Sequence, residues 1–318
     1  MPARITVRWI EGGDLRSGGL EGLKAARAQG PVWVDLTDPD EESLATLGEL
    51  FPLHPLALED CLHFPQRPKL DAYPEFLFLV WITPRLKPDD GIEYGEIDIF
   101  LGERFLITSH AGEALILDDV ATSSEPILQG GIQWTLHAVL DRAVDDVFPA
   151  VDYISDQLDT IEDELLEKAA REQLQRLYAM KRLLVALHKV IGPERDVLRE
   201  MARHEAFISQ DAYLYFQDIG DHLARVADSV DTYRDVASGA MDIYLSAVNN
   251  RMNEIMKQLT VVATIFMPLT LISGIYGMNV TAGMWPPITA VWSFGVVITS
   301  MVVISVSMLW IFKRRNWW

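Results

Sequence analysis

Two long uncharged segments near the end of the chain dominate its hydrophobic pattern. Residues 259–276 read LTVVATIFMPLTLISGIY, and residues 288–312 read ITAVWSFGVVITSMVVISVSMLWIF. A helix rises about 1.5 Å per residue, so the segments cover about 27 Å and about 37 Å, against a hydrocarbon core of roughly 30 Å. The pattern predicts transmembrane helices over 259–279 and 288–312, joined by an outer loop at 280–287.

Charged residues flank these two segments on their outer sides only. The basic run 313–315 (KRR) follows the second segment, Arg251 and Lys257 precede the first, and the connecting loop carries no charge. By the positive-inside rule, both outer flanks then face the cytoplasm. The sequence therefore predicts a multi-pass protein of the inner (plasma) membrane with both termini in the cytoplasm, and with 313–318 as a basic cytosolic tail.

Residues 1–140 alternate between short β-branched or aromatic runs and helical patterns. Strands bounded by turn residues are predicted at 5–9, 32–36, 76–82, 97–101 and 105–108. A helix is predicted from Pro39 to Leu50, with Asp38 as its cap, and a second short helix starts near Pro55. This mixture predicts a cytosolic α/β domain.

Residues 141–258 have a helical pattern and form a predicted stalk. Apolar residues spaced alternately four and three apart are typical of helices that pack lengthwise; they are Val147, Val151, Ile154, Leu158, Ile161 and Leu165. A second helix is expected over 172–190, ended by Gly192 and Pro193. No proline interrupts 211–260, so one continuous helix is expected to leave the cytosol and become the first transmembrane span.

One face of that long helix carries groups suited to an ion path. At helical spacing this face holds Asn253, Met256, Leu259, Met267, Thr270 and Gly274. Two spans per chain cannot enclose a water-filled path, so transport would require an oligomer, in which these residues would form successive rings. Rings of bulky apolar groups gate by dewetting, and amide or hydroxyl rings can contact a hydrated ion. The alternative is ordinary helix packing through small residues and hydroxyls.

Composition narrows the candidate chemistry. The chain has 46 Asp and Glu against 27 Lys and Arg, a net charge of -19, which argues against a nucleic-acid partner. Neither span contains Asp, Glu, Lys, Arg or His, which counts against a proton relay, and oxygen-only polar groups suit Mg²⁺. Cys61 is the only cysteine, so a multi-cysteine metal site is excluded. With no nucleophile–base signature or phosphate loop, an enzyme is not expected.

The outer end of the first span carries a short motif, Tyr276-Gly277-Met278-Asn279. Here the sequence resembles the CorA family of divalent-cation channels and transporters, of the type with a Gly-Met-Asn motif. The similarity extends to the pore helix, the cytosolic domain and the stalk helix of that family, through 253–260, 264–270, 54–60, 66–69, 215–218 and 221–222. It implies a funnel-shaped homopentamer in a lipid bilayer, with the first spans around the pore.

The resemblance also implies a role for particular residues. Gly277, Met278 and Asn279 would form the outer selectivity filter. The pore-lining and gating positions would be Asn253, Met256, Leu259, Met267, Thr270 and Gly274. Asp218 would help to hold a regulatory Mg²⁺ between subunits, with Asp89 or Asp90 as the expected partner on the neighbouring domain. Mg²⁺ is then expected as both the transported and the regulatory ion, with Co²⁺ and Ni²⁺ as further cargo.

One departure from the family and two alternatives stay open. The outer loop at 280–287 has no carboxylate, although many relatives carry acids there, so ion capture would rest on Asn279 and backbone carbonyls. A Zn²⁺ transporter of the same superfamily is the nearest alternative. A membrane-anchored scaffold or sensor without ion flux is the alternative from a different class.

Overall fold

A computed structural model of the protein describes residues 3–87, 91–123, 128–278, 285–287, 291–315 and 317. The strands are β1 (Arg4–Glu11), β2 (Asp14–Gly18), β3 (Val32–Thr37), β4 (Lys69–Ala72), β5 (Phe76–Leu86), β6 (Ile92–Gly102) and β7 (Phe105–His110). The helices are α1 (Leu23–Gln29), α2 (Glu41–Leu50), α3 (Pro55–Asp60), α4 (Leu115–Thr122), α5 (Ile132–Asp145), α6 (Phe148–Glu167), α7 (Arg171–Met201), α8 (Gln210–Tyr276) and α9 (Val291–Arg314).

The described strands form one sheet in the order β2-β1-β3-β7-β6-β5-β4. Strands β3 and β7 pair in parallel, and the other neighbours pair antiparallel. Each of the strands that the sequence predicts is present. The edge strands β2 and β4 were not predicted, because DLRSG and KLDA are short and mostly polar. Such sequences suit an edge that only one neighbour covers.

The main core lies between one face of the sheet and helices α1, α2 and α3. It includes aromatic side chains of the central strands and small residues of α3, such as Phe78, Phe100 and Ala57. Burial of each large apolar side chain contributes roughly 1.5–3 kcal/mol. The short α3 begins as the sequence predicts, with Pro55 in its first turn and His54 as the N-cap.

The cap of α2 differs from the prediction. Asp40, not Asp38, caps the helix: its Oδ1 accepts the Ser43 amide at 2.8 Å, and the Ser43 hydroxyl reaches back to the Asp40 backbone. Asp38 instead has a positive φ of 53° and accepts the Gly112 amide at 2.7 Å. The prediction of Asp38 was therefore wrong. Either aspartate of the Asp-Pro-Asp sequence could cap a helix, but the side chain of Asp38 is bonded to the Gly112 amide instead.

The long helices of the stalk follow their apolar repeat. All the repeat positions from Val147 to Leu165 are buried, as that pattern predicts. The predicted break at Gly192 and Pro193 was wrong, because α7 continues through Pro193 to Met201. Proline removes one backbone hydrogen bond, but Ile191, Val197 and Leu198 stay buried on either side of it, and their packing offsets the loss.

Helix α8 is continuous over 67 residues, which confirms the single long helix predicted from the sequence. The chain divides into two compact units. One comprises Met1–Glu164 with Ala170–Met241, and the other comprises Leu165–Ala169 with Asp242–Trp318. The second unit holds the apolar part of α8 and all of α9, and both helices are long and apolar enough to cross a membrane.

Candidate ion pathway

The face of α8 that the sequence singles out is uncovered in the single chain. Met256, Leu259 and Met267 are 56%, 62% and 72% exposed. Asn253, Thr270 and Gly274 are exposed as well. Large apolar side chains of this kind are normally covered by protein or by lipid. This face is therefore available to other copies of the chain or to the bilayer.

Two grooves follow this face. Met267, Thr270 and Gly274 line one of about 580 Å³, which continues to Met278. Leu259 and Met267 line the other, of about 570 Å³, and Met308 of α9 contributes to its wall. The structure thus places the last three of these α8 positions, Met267, Thr270 and Gly274, along one groove with Met278, which follows the helix.

The hydroxyl groups of the span are already engaged as donors. Thr260 Oγ1 donates to the Met256 carbonyl at 2.7 Å, and Thr270 Oγ1 donates to the Phe266 carbonyl at 2.9 Å. Each hydroxyl oxygen keeps its lone pairs, because a hydroxyl has one donor and two acceptor sites. A hydroxyl in this state offers an acceptor oxygen to its surroundings, which suits a hard cation or its water shell.

The Gly-Met-Asn motif continues directly from the end of α8. The Gly277 amide donates to the Ser273 carbonyl at 2.8 Å, and the Met278 amide donates to the Ile275 carbonyl at 3.2 Å. A Cβ atom on Gly277 would lie 3.1 Å from the Ser273 carbonyl oxygen, so the turn is tight there. Asn279, the residue that would present an amide oxygen, lies outside the described residues.

The outer end of α8 is also bonded to a residue of the loop that follows it. The Tyr276 hydroxyl donates to the Trp285 carbonyl at 3.0 Å. This bond holds Trp285 close to the end of the helix. This contact was not predicted from the sequence, where neither residue type indicates a partner.

Asp218 lies on α8 within a group of acidic and imidazole side chains. Its Oδ2 is 3.8 Å from Nε2 of His222, one turn further along the helix, and its side chain is 69% exposed. Burial raises the pKa of the Asp141 carboxyl on α5; Asp145 and Asp218 add to that effect, and His137 and His222 oppose it. The carboxylates therefore form a region of negative potential in which a cation would be stabilised.

This acidic group is incomplete as a metal site. Among the residues that the structure describes, no three His, Cys, Asp or Glu side chains stand at a spacing that could hold a metal ion. Asp89 and Asp90, the expected partners of Asp218, lie outside the described ranges. The sequence singles out Asp218 but gives little sign of Asp141. The signal was weak, because Asp141 comes from a separate helix and only the tertiary fold brings the two together.

Comparison with known proteins shows which family the chain resembles. The family model of CorA-like Mg²⁺ transporter proteins matches residues 28–314. The cobalt/magnesium transport protein CorA of Thermotoga maritima is 36% identical, over 90% of this chain and 83% of its own. The zinc transport protein ZntB of Yersinia enterocolitica is 23% identical, over 92% of this chain and 89% of its own.

A solved structure supports the same conclusion. The complete structure of the CorA magnesium transporter from Methanocaldococcus jannaschii matches with a TM-score of 0.87, 26% identity and 99% coverage of both chains. The match confirms the predicted α/β domain followed by a long helical stalk and two C-terminal apolar helices. It also confirms the family resemblance inferred from the sequence. The chain belongs to the CorA-like Mg²⁺ transporter proteins, a superfamily of divalent-cation transporters.

Proposed function

We propose that the chain forms an oligomeric channel that admits Mg²⁺ to the cytoplasm along the exposed face of α8. The observation that carries the proposal is the surface of that face: apolar Leu259 and Met267 lie between oxygen-bearing Asn253 and Thr270, and the single chain covers none of these four. Five copies in a funnel-shaped assembly would turn this face inward around one axis. Both termini would then lie in the cytoplasm, below the inner membrane.

The proposed filter consists of Gly277, Met278 and Asn279. Mg²⁺ sheds its water shell reluctantly, so a ring of Asn279 amide oxygens would contact the ion through that shell. The tight turn at Gly277 would set the direction in which the ring points. Because the outer loop is uncharged, entry would depend on these oxygens more than on a negative field at the mouth.

The proposed gate is apolar. Rings of Leu259 and Met267, with Met256 below them, would exclude water when they are narrow, and an ion cannot cross a dry constriction. Asn253 at the cytosolic end, and Thr270 and Gly274 nearer the outside, would provide wetted positions on either side. A small change in the tilt of α8 would then switch flux on and off.

Cytosolic Mg²⁺ would control that gate. The proposed regulatory ion binds between subunits at Asp218, with Asp89 or Asp90 of the neighbouring subunit as its partner. The acids that lie near Asp218 within one chain support this idea, because like charges repel one another unless a cation screens them. When cytosolic Mg²⁺ falls, the ion would leave and the closed assembly would loosen.

The cargo can include other divalent ions. The Thermotoga relative is named for cobalt and magnesium, so we extend the proposal to Co²⁺, and to Ni²⁺ by its similar chemistry. A Zn²⁺ transporter is the second candidate, because the Yersinia relative is named for zinc. Zinc sites are usually built from His and Cys, and neither described span contains one, which favours Mg²⁺.

Ion uptake into proteoliposomes that hold the purified full-length chain tests this function. We expect Mg²⁺ entry driven by membrane potential without proton movement, and at least about a tenfold loss in Asn279→Ala. Thr281→Ala, in the same uncharged loop, is the matched control and should retain uptake. Zinc uptake coupled to protons would favour the zinc candidate, and no flux of any divalent ion would indicate a scaffold or sensor instead.

A further inference from the structure

A carboxyl group in the middle of the sheet has no bonding partner. Asp98 lies on β6, opposite Val80 of β5 and Ser109 of β7. Its side chain is completely buried, and neither carboxyl oxygen has a hydrogen-bond partner among the described residues. An ionised carboxylate in such a place has lost its hydration without compensation, so its neutral form is strongly favoured.

The surroundings of Asp98 offer little to an ionised carboxylate. The Cys61 thiol, which follows α3, is close enough to favour the ionised carboxylate, but it donates to the Ala57 carbonyl at 3.3 Å, and the effect of burial on Asp98 is larger. The Ser109 hydroxyl is buried and also has no partner within the described chain. Glu96, two residues earlier on the same face of β6, brings a second carboxylate. One of its oxygens accepts the Gln66 amide at 2.6 Å.

The charged groups on the neighbouring elements act in both directions: Asp60 raises the pKa of Asp98, and Lys69 lowers it. Asp60 of α3 is a further acid, and Lys69 of β4 is held by Asp60 at 2.5 Å and by Asp71 at 3.2 Å. From α7, Glu194 faces β5, where its carboxyl accepts the Ile82 amide. Burial, and then the Glu96 carboxylate, raise the pKa of Asp98 to about 7.

We propose that Asp98 is a proton-binding site that keeps α3 and the following segment docked on the sheet when protonated and releases them when deprotonated. The neutral carboxylic acid can remain in the dry core beneath Cys61. The ionised form must regain water, and water reaches it most directly if the six-residue α3 and residues 61–68 separate from the sheet. The inference is independent of the ion path, because it concerns a buried group in the α/β domain.

The direction of the pH dependence follows from the two pKa values. In the released state the Asp98 carboxyl returns towards its ordinary 3.8, whereas in the docked state it titrates near 7. The docked state therefore binds more protons between these values, and its advantage is lost as the pH rises through that window. Between pH 5.5 and 8.0 the opening equilibrium should increase about thirtyfold, and it should level off above about pH 8.

Cys61 provides a built-in probe of this opening. It is the only cysteine of the chain, it is fully buried, and it lies next to Asp98. We would measure the rate at which the full-length protein reacts with 4,4′-dithiodipyridine from pH 5 to 8.5. Dividing by the rate of the denatured chain at each pH removes the titration of the thiol itself. We expect the wild-type ratio to rise about thirtyfold between pH 5.5 and 8.0.

Three variants make the test specific. Asp98→Asn should make the ratio independent of pH, because the amide cannot ionise. Glu96→Gln removes the nearest negative charge, so the midpoint should move to lower pH. Glu194→Gln, which removes the other buried acid on this side, should keep the wild-type profile. A flat wild-type profile, or the same rise in Asp98→Asn, would overturn the proposal. If Asp98→Asn does not fold, an unchanged midpoint in Glu96→Gln overturns it.

Discussion

The apolar stripe of α8 behaves differently in its two halves. Val226, Val230, Ala237 and Ala240 are completely or almost completely buried. Further along the same helix, the stripe continues with Val248, Met252, Ile255 and Leu259, which are 39–62% exposed. The spacing of the apolar residues does not change between the two halves.

The difference shows which half of the stripe a single chain buries by itself and which half it leaves exposed. In the first unit, a single copy buries the stripe, so this burial stabilises its fold. In the second unit, the described chain leaves the same kind of stripe open, which only lipid or other copies can cover. A transport path assembled from several copies needs this arrangement, because no single chain encloses a channel.

Truncating leucines in each half gives the largest expected contrast. Leu223 is fully buried in the first half, whereas Leu245 is 52% exposed in the second. Leu223→Ala should lower the unfolding free energy of the first unit by about 2–5 kcal/mol, because it removes packed atoms and leaves a cavity. Leu245→Ala should change it by less than about 0.5 kcal/mol. Urea unfolding of the full-length protein in detergent, followed by tryptophan fluorescence, measures both, and equal losses would contradict the contrast.

A smaller effect is expected at Glu194 of α7. Its carboxyl is buried and accepts the Ile82 amide at 3.1 Å. Glu194→Ala leaves that buried amide unpaired and should cost about 1–3 kcal/mol. Glu194→Gln keeps an acceptor oxygen and should cost less than half as much. The same unfolding assay distinguishes them, and an alanine variant as stable as the glutamine variant would show that the bond is not needed.

The smallest effect is expected at the start of α2. Asp40→Ala removes the side-chain cap of an exposed helix end and should cost about 1 kcal/mol. Asp40→Ser can replace the cap and should restore most of that loss. Helix α2 belongs to the first unit, whereas the proposed ion path belongs to the second. The change should therefore not affect ion uptake. A loss of uptake at constant stability would mean that the two units are more closely coupled than the stripe suggests.

Sequence patterns predicted the parts of the fold that depend on local periodicity. The strands with apolar runs, the repeat from Val147 to Leu165 and the continuous α8 were all predicted correctly. Tertiary contacts decided the rest. Asp38 lost its predicted capping role to a bond with Gly112, and Pro193 lies inside α7 because the packing around it outweighs one missing hydrogen bond.

The candidate site was only partly predictable for a related reason. Spacing along one helix is enough to predict that Met267, Thr270 and Gly274 share a face, and all three line one groove. No spacing rule links Asp218 to Asp141, since the two lie on different helices. The filter role of Asn279 and the partnership with Asp89 or Asp90 stay predictions, because all three lie outside the described residues.

Thiol modification during flux tests most directly the claim that the exposed face of α8 surrounds the ion path. In a Cys61→Ala background, Met267→Cys places a thiol on that face, and Val262→Cys places one roughly 140° away around the helix. A charged, membrane-impermeant methanethiosulfonate should then block Mg²⁺ uptake into proteoliposomes by Met267→Cys and leave Val262→Cys unaffected. Block of Val262→Cys alone, or of neither variant while both transport Mg²⁺, would contradict the account.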